Sequence, residues 1–212
     1  MKKIISILFV SALFTLSAHA GGMIGIKYGN GDLEGTKQAY TAGSNSYSAQ
    51  TGSKDHEFGA IFAEVDLPNH PVALGVEYIP YTATVSIDGN SSDSHLELSE
   101  HTTIYALLSN DIGDGDASAY FKVGYAMADI GNVKANYSST SIASNDSSLE
   151  GMMIGVGVQS GEFGIGMVGR LELTITDYDD VSVTTTSNGS ASVKKTADAE
   201  LTTFTISLAK TF

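Results

Sequence analysis

From residue 22 onward, apolar residues recur at every second position in eight stretches separated by polar, glycine-rich connectors. Period two is the mark of a pleated strand with one greasy face. The clearest stretches are GMIGIKYG (22–29), AYFKVGYAMADI (119–130) and GMMIGVGVQ (151–159). In these, Ile24, Ile26 and Tyr28, then Phe121, Val123, Tyr125 and Met127, then Met152, Ile154, Val156 and Val158 share a face. The others are EFGAIFAEVDL (57–67), VALGVEYIPYTATVSI (72–87), LELSEHTTIYALL (96–108), FGIGMVGRLELTIT (163–176) and LTTFTISLAKTF (201–212). The phase of 72–87 slips near Pro80, where a bulge is expected because proline cannot donate to a ladder. No helical period, heptad or internal repeat follows residue 20.

The connectors alternate in length. LPNHP (67–71), SNDIGDGDAS (109–118) and QSGE (159–162) are short. Gly31–Asp55, Asp88–His95, Ala135–Ser148 and Asp180–Ala197 are long and rich in Ser, Thr, Asn, Gly and Asp. Short turns at one end and long loops at the other predict an all-β, eight-stranded antiparallel up-and-down barrel of the transmembrane type, both termini on the short-turn side.

A soluble barrel would put the apolar face inside, so the opposite face decides. It carries Gly25, Gly75, Gly124, Ala126, Gly155, Gly157, Gly164 and Gly166, with Lys27, Glu77, Lys122, Arg170 and Glu172 as scattered charges and Glu64 in phase with them. A water-facing strand surface carries many more charged and hydroxyl groups. Small residues with sparse charges suit a narrow interior. Tyr28, Tyr78, Phe121, Phe163 and Phe212, near strand ends, would form aromatic girdles.

The amino-terminal stretch MKKIISILFVSALFTLSAHA predicts an export signal: Lys2 and Lys3, an apolar run too short to span a bilayer, and a small-x-small ending at Ala18-His19-Ala20 with cleavage after Ala20. Residues 21–212 would then form the barrel domain. Loss of the two lysines takes the net charge from −13 to −15, which excludes nucleic acid as a partner for want of a basic stripe. No cysteine is present, so disulfides and thiolate metal sites are excluded.

AYFKVGYAMADIG (119–131), and GVGVQSGEFGIGMVGRLELTITDYDD (155–180) with its Arg170-x-Glu172 pair and Tyr178-Asp179-Asp180 exit, resemble the outer-membrane β-barrel superfamily of opacity-type surface proteins and the outer-membrane protein A transmembrane domain. The terminal Phe212 behind Phe204, Ile206 and Leu208 resembles that family's signal for the barrel assembly machinery, although Lys210 stands where the family has an apolar residue. The resemblance implies a Gram-negative outer-membrane location, termini in the periplasm, passage by periplasmic chaperones, contact with lipid and lipopolysaccharide, and a monomer without cofactor.

The inward charges are expected to form an ion-pair network that plugs the barrel; a charge-lined, porin-like pore is the alternative. Glu97, Ser99 and His101 alternate along one strand and are weighed as a nucleophile–base–acid set on one face; ordinary lumen packing is preferred, and no catalytic residue is assigned. Asp111, Asp114 and Asp116, and Asp177, Asp179 and Asp180, have cation-like spacing but complete no EF-hand, so no metal site is assigned. The expected role is non-enzymatic: structural, or a surface interaction of adhesin or antigen type with host or surface ligands through four extracellular loops. A narrow channel, and more remotely a lipid-modifying enzyme, are the other readings.

Overall fold

The computed structural model describes residues 21–42, 44–80, 83–89, 92–113, 115–134, 140–144, 148–187 and 193–212. The cleavage residues Ala18 and Ala20, Asp114 and the side chain of Glu97 lie outside that description. The strands are β1 (Gly22–Lys37), β2 (Tyr40–Ala42), β3 (Asn45–Tyr47), β4 (Gln50–Asp66), β5 (Val72–Ile79), β6 (Ala83–Gly89), β7 (Ser92–Asp111), β8 (Ser118–Lys134), β9 (Thr140–Ser144), β10 (Ser148–Gln159), β11 (Met167–Ser187) and β12 (Val193–Thr211).

Pairing runs β1–β4–β5–β7–β8–β10–β11–β12 and back to β1, antiparallel throughout, so the sheet closes as an eight-stave barrel. Beyond Pro80, β6 carries the third stave onward against β7, and β9 extends the sixth against β11. The seam is made by the first and last strands: Met23 faces Thr211, and Gly22 and Phe212 exchange backbone hydrogen bonds at 3.1 and 3.0 Å.

The register fixes the girth. Partners lead from Gly25 through Phe62, Glu77, Thr103, Ala126, Gly151, Tyr178 and Ala199 to Gly35, a stagger of ten residues per circuit. With standard rise and strand spacing, eight strands staggered by ten tilt by roughly 40° and enclose a radius of roughly 8 Å. Such a cylinder has room for side chains and little else.

Parity then sorts the residues. Ile26, Tyr28, Ile61, Phe121, Ile154, Val156, Leu173, Phe204 and Ile206 are exposed on the outside, while Lys27, Phe62, Tyr105, Lys122, Met153 and Glu172 are buried within. Adjacent Met153 and Ile154 are 3% and 51% exposed. Outward positions from Val158 to Met152 make an apolar belt about 15 Å tall at roughly 2.5 Å of axial rise per residue. Tyr28, Tyr78, Tyr125 and Phe204 reach about one height at its upper edge. Asp32, Glu57, Glu150, Asp177 and Glu200 come next along their strands, the Tyr125 hydroxyl donating to Glu150 at 2.7 Å. An uncovered belt of this kind, bounded by aromatics and then carboxylates, is the lipid-facing surface of a transmembrane barrel.

Two expectations need correction. The seventh stave starts at Met167: residues 163–166 form a turn, in which Gly164 and Gly166 have positive φ (61° and 81°) and face no lumen. Phe163 and Ile165 are exposed in that turn. The long connectors are also mostly strand. β1 runs to Lys37 and β4 starts at Gln50, so much of Gly31–Asp55 is a two-stranded ribbon tipped by the β2–β3 hairpin. Backbone pairing continues to Lys37 and Gln50 because cross-strand hydrogen bonds satisfy the amides whatever the side chains are.

Ile154→Arg, placed near mid-belt, is expected to lower the unfolding free energy in lipid vesicles by about 2–4 kcal/mol. Ile154→Leu should change it by less than about 1.5 kcal/mol. Equal effects of the two in urea titrations would show that this face does not meet hydrocarbon.

Candidate functional site: the charged lumen

Six charged side chains from five staves meet inside: Lys27 (β1), Glu64 (β4), Glu77 (β5), Lys122 (β8), and Arg170 and Glu172 (β11) make three cations and three carboxylates, all buried. Four of them form a closed quartet. Lys27 Nζ lies 2.6 Å from Glu77 and 2.5 Å from Glu172, and Lys122 Nζ lies 3.0 and 3.1 Å from the same two carboxylates. Below it, Arg170 grips Glu64 with both terminal nitrogens at 2.7 Å, while its Nε donates to Gln159 at 2.6 Å.

Glycines make the space for this. Side chains from neighbouring staves lie against glycine: Phe62 covers Gly25, Tyr105 covers Gly75 and Tyr120 covers Gly157, each where a Cβ would collide with the ring. The rings in turn serve the charges. The Tyr105 hydroxyl donates to Glu64 at 2.7 Å and the Tyr120 hydroxyl to Glu172 at 3.0 Å. Lys122 Nζ stands 3.9 Å from the Tyr105 ring centre, and the Arg170 guanidinium 5.2 Å from that of Tyr120. Cation–ring attraction of this kind strengthens when both partners are dry.

A second closure lies towards the ribbon end. Leu33, Ala126, Ala128, Leu149 and Tyr178 form a buried apolar cluster within the bore, flanked by Ile130, Ala199 and Leu201. The Tyr178 hydroxyl and His101 Nε2 are hydrogen-bonded at 2.8 Å. At the other end the bore opens into a vestibule of about 440 Å³, with Glu64 and Arg170 in its lining alongside Asp66, His70, Tyr120, Gln159 and Glu162.

The five charges singled out in the sequence, with Glu64, therefore converge. The aromatic layer of Phe62, Tyr105 and Tyr120 was missed, although its signal was present: each stands one residue out of phase with the lipid-facing set. The Ser99–His101 arrangement is not assembled. A register shift between Ser99 and Thr102 inserts a residue, with Glu100 at φ 53°. Ser99 consequently pairs with Asp129 on the outward parity, whereas His101 keeps the inward parity of Thr103 and Tyr105. Among the described residues no group of three His, Cys, Asp or Glu side chains is arranged to hold a metal.

No protein-family model and no curated protein matches the chain. Solved structures do. One is Ail, the attachment invasion locus protein of Yersinia pestis, in complex with the heparin analogue sucrose octasulfate, at 11% identity and TM-score 0.45 over 90% of this chain and 99% of that one. Others are Neisserial surface protein A, at 12% identity and TM-score 0.42 over 84% and 95%, and the outer membrane protease OmpT from Escherichia coli, at 9% identity and TM-score 0.48 over 91% and 97%. No role is read from likeness at that level; the barrel assignment stands on the strand pairing and on the apolar outer wall.

Glu172→Gln leaves two buried lysines sharing one carboxylate and is expected to cost about 3–5 kcal/mol. Combined with Lys122→Met it should cost less than the two single changes added together, as a double-mutant cycle by urea unfolding would read. Additive costs would show that the two side chains do not interact.

Proposed function

We propose that the chain is a non-enzymatic outer-membrane barrel whose work is done by its projecting strand ribbons, as a structural or surface-interaction protein of adhesin or antigen type. The observation that carries this reading is the bore sealed at two levels, by the charge quartet with Arg170–Glu64 and by the apolar cluster around Leu149 and Tyr178. A solute would have to break ion pairs held in a dry interior and then dewet an apolar constriction, so transport is disfavoured. The separation of Ser99 from His101 removes the serine–histidine arrangement that a lipid-modifying enzyme of that kind would need.

What the fold leaves free is outside the bilayer. β7, β11 and β12 run for 20, 21 and 19 residues, about twice the 9–11 needed to cross. The first ribbon is stiffened by Lys37 donating to Gln50 at 2.8 Å and Thr36 meeting Thr51 at 3.0 Å. At its tip the rings of Tyr40 and Tyr47 stack at 4.7 Å, with Lys37 over Tyr40. An exposed Tyr47 stacked on a half-buried Tyr40 at the end of a paired stem suits contact with a host or surface ligand.

In this reading residues 1–20 direct export and are cut after Ala20, and the short-turn end with both termini faces the periplasm. The assembly machinery reads Phe204, Ile206, Leu208 and Phe212, periplasmic chaperones escort the chain, and lipid and lipopolysaccharide surround a cofactor-free monomer.

Two measurements test the proposal. The purified protein in planar bilayers should show negligible conductance; a large, steady, ion-selective conductance would favour the porin-like channel. Replacing residues 38–49 by a short turn should leave the heat-dependent gel shift of a folded barrel intact and reduce adherence of expressing cells to host matrix. Unchanged adherence would remove the first ribbon from the role.

A further inference from the structure

The export reading above has a structural counterpart at the barrel seam. If the chain is cut after Ala20, residue 21 becomes the new amino terminus, and the residues waiting there are specific. Gly21 lines the vestibule. Its carbonyl accepts the Asp66 amide at 3.2 Å, and Gly22 is tied on both sides to Phe212. The Asp66 carboxylate lies beside Gly21: a Cβ built there would be 3.1 Å from Oδ2. Gly21 also has a φ of 56°, a conformation that L side chains rarely adopt. At Gly22 a Cβ would stand 2.6 Å from the Glu64 carbonyl. The pair Gly21-Gly22 is thus what lets the chain end lie flat against the β4 rim.

Charge completes the picture. The vestibule lining holds the carboxylates of Glu64, Asp66 and Glu162, the Arg170 guanidinium and His70, together with Phe212. The Phe212 carbonyl oxygen lies 3.9 Å from a Cβ built at Gly21, while the Lys210 ammonium donates to the Thr211 carbonyl at the rim. Arg170 is committed to Glu64 through both terminal nitrogens and to Gln159 through Nε. Asp66 has no side-chain hydrogen bond or ion pair among the described residues. The chamber is therefore short of positive charge at the place where processing would create one. Covalent geometry puts a residue's nitrogen about 2.5 Å from its own Cβ position. The Gly21 nitrogen accordingly lies within about 6 Å of Asp66 Oδ2, inside the range where an opposite charge favours the ionised form.

We propose that signal removal installs a clasp: the α-ammonium of Gly21 pairs with Asp66 and pins the start of β1 to the end of β4 beside the seam. The step is peptide hydrolysis by a signal peptidase. Water adds across the Ala20–Gly21 bond, the departing leader keeps the Ala20 carboxylate, and Gly21 takes up the proton as an ammonium. Before the cut, that nitrogen is a neutral amide and Asp66 lacks this partner. After it, the clasp adds a side-chain ion pair to the backbone bonds that Gly22 makes with Phe212. Maturation and closure of the wall are thereby coupled at one residue. The inference rests on the export reading of residues 1–20.

The test uses the chain recovered from outer membranes. Amino-terminal sequencing should read Gly-Gly-Met-Ile; any other start overturns the proposal by removing the export reading beneath it. The amine is then labelled by reductive ¹³C-dimethylation, which keeps its charge, and titrated by NMR in micelles. Its pKa is expected to lie about one unit above the ordinary range of about 7.7–8.0. Asp66→Asn should return it to that range, and Asp66→Glu should hold it up. Correct processing with an ordinary pKa in the wild type would overturn the clasp while leaving export intact, and so would an elevated value that Asp66→Asn does not change.

Discussion

The stagger of ten residues around eight strands is the constraint from which the rest follows. It sets the tilt, the tilt sets the radius, and a radius of roughly 8 Å leaves no open bore once side chains turn inward. Every inward position is then a packing decision. The chain answers with an unusual division: glycine on one stave faces an aromatic ring from its neighbour, as at Gly25 and Phe62, Gly75 and Tyr105, and Gly157 and Tyr120. Were those glycines alanines, the rings would have no place to lie, and the charges they support would lose both their hydroxyl donors and their π faces.

Six buried charges are an expensive way to fill a cylinder. Desolvation of each ion costs several kcal/mol, and the Coulomb return repays it only where geometry and additional hydrogen bonds are good. Here Lys27, Lys122 and Arg170 balance Glu64, Glu77 and Glu172. Glu64 and Glu172 each meet three donors, whereas Glu77 relies on the two lysines alone. An apolar filling of equal volume would be at least as stable on this accounting. What the ionic filling adds is register. A slip of one residue turns Lys27 or Glu172 towards lipid, where a charge is costly, so the network penalises wrong pairings more heavily than a greasy core would.

Much of this was legible in the sequence because a membrane barrel writes its two faces in opposite chemistry. The parity of Phe121, Val123 and Tyr125 against Lys122 and Gly124 identifies outside and inside without ambiguity, and Pro80 marks the break in the third stave. Legibility fails where parity does. Residues 163–166 keep an alternating apolar pattern, yet Gly164 and Gly166 at positive φ bend the chain into a turn. At Glu100 one inserted residue reverses the faces, so Ser99 and His101 look like companions in sequence and are not in space. The polar ribbons read as loops because Ser, Thr, Asn and Gly signal turns, whereas cross-strand hydrogen bonding of the backbone does not depend on side-chain polarity. The site was half visible: the shared phase of the charges can be read from the chain, but which carboxylate meets which lysine depends on pairing between staves 45 to 145 residues apart.

The bore of this barrel is closed twice over. The lower seal is electrostatic and bears on register; the upper one, around Leu33, Leu149 and Tyr178, is apolar and lies where the wall leaves the lipid belt. Two seals of different chemistry are not opened by one kind of perturbation: salt or acid that loosens ion pairs leaves the apolar cluster in place. The ribbons outside the bilayer are continuous with the staves below. A hairpin such as β2–β3 is marginal alone. Continuous with β1 and β4, it presents Tyr40 and Tyr47 on a stem whose conformational entropy was already lost in forming the barrel, which favours any ligand it meets.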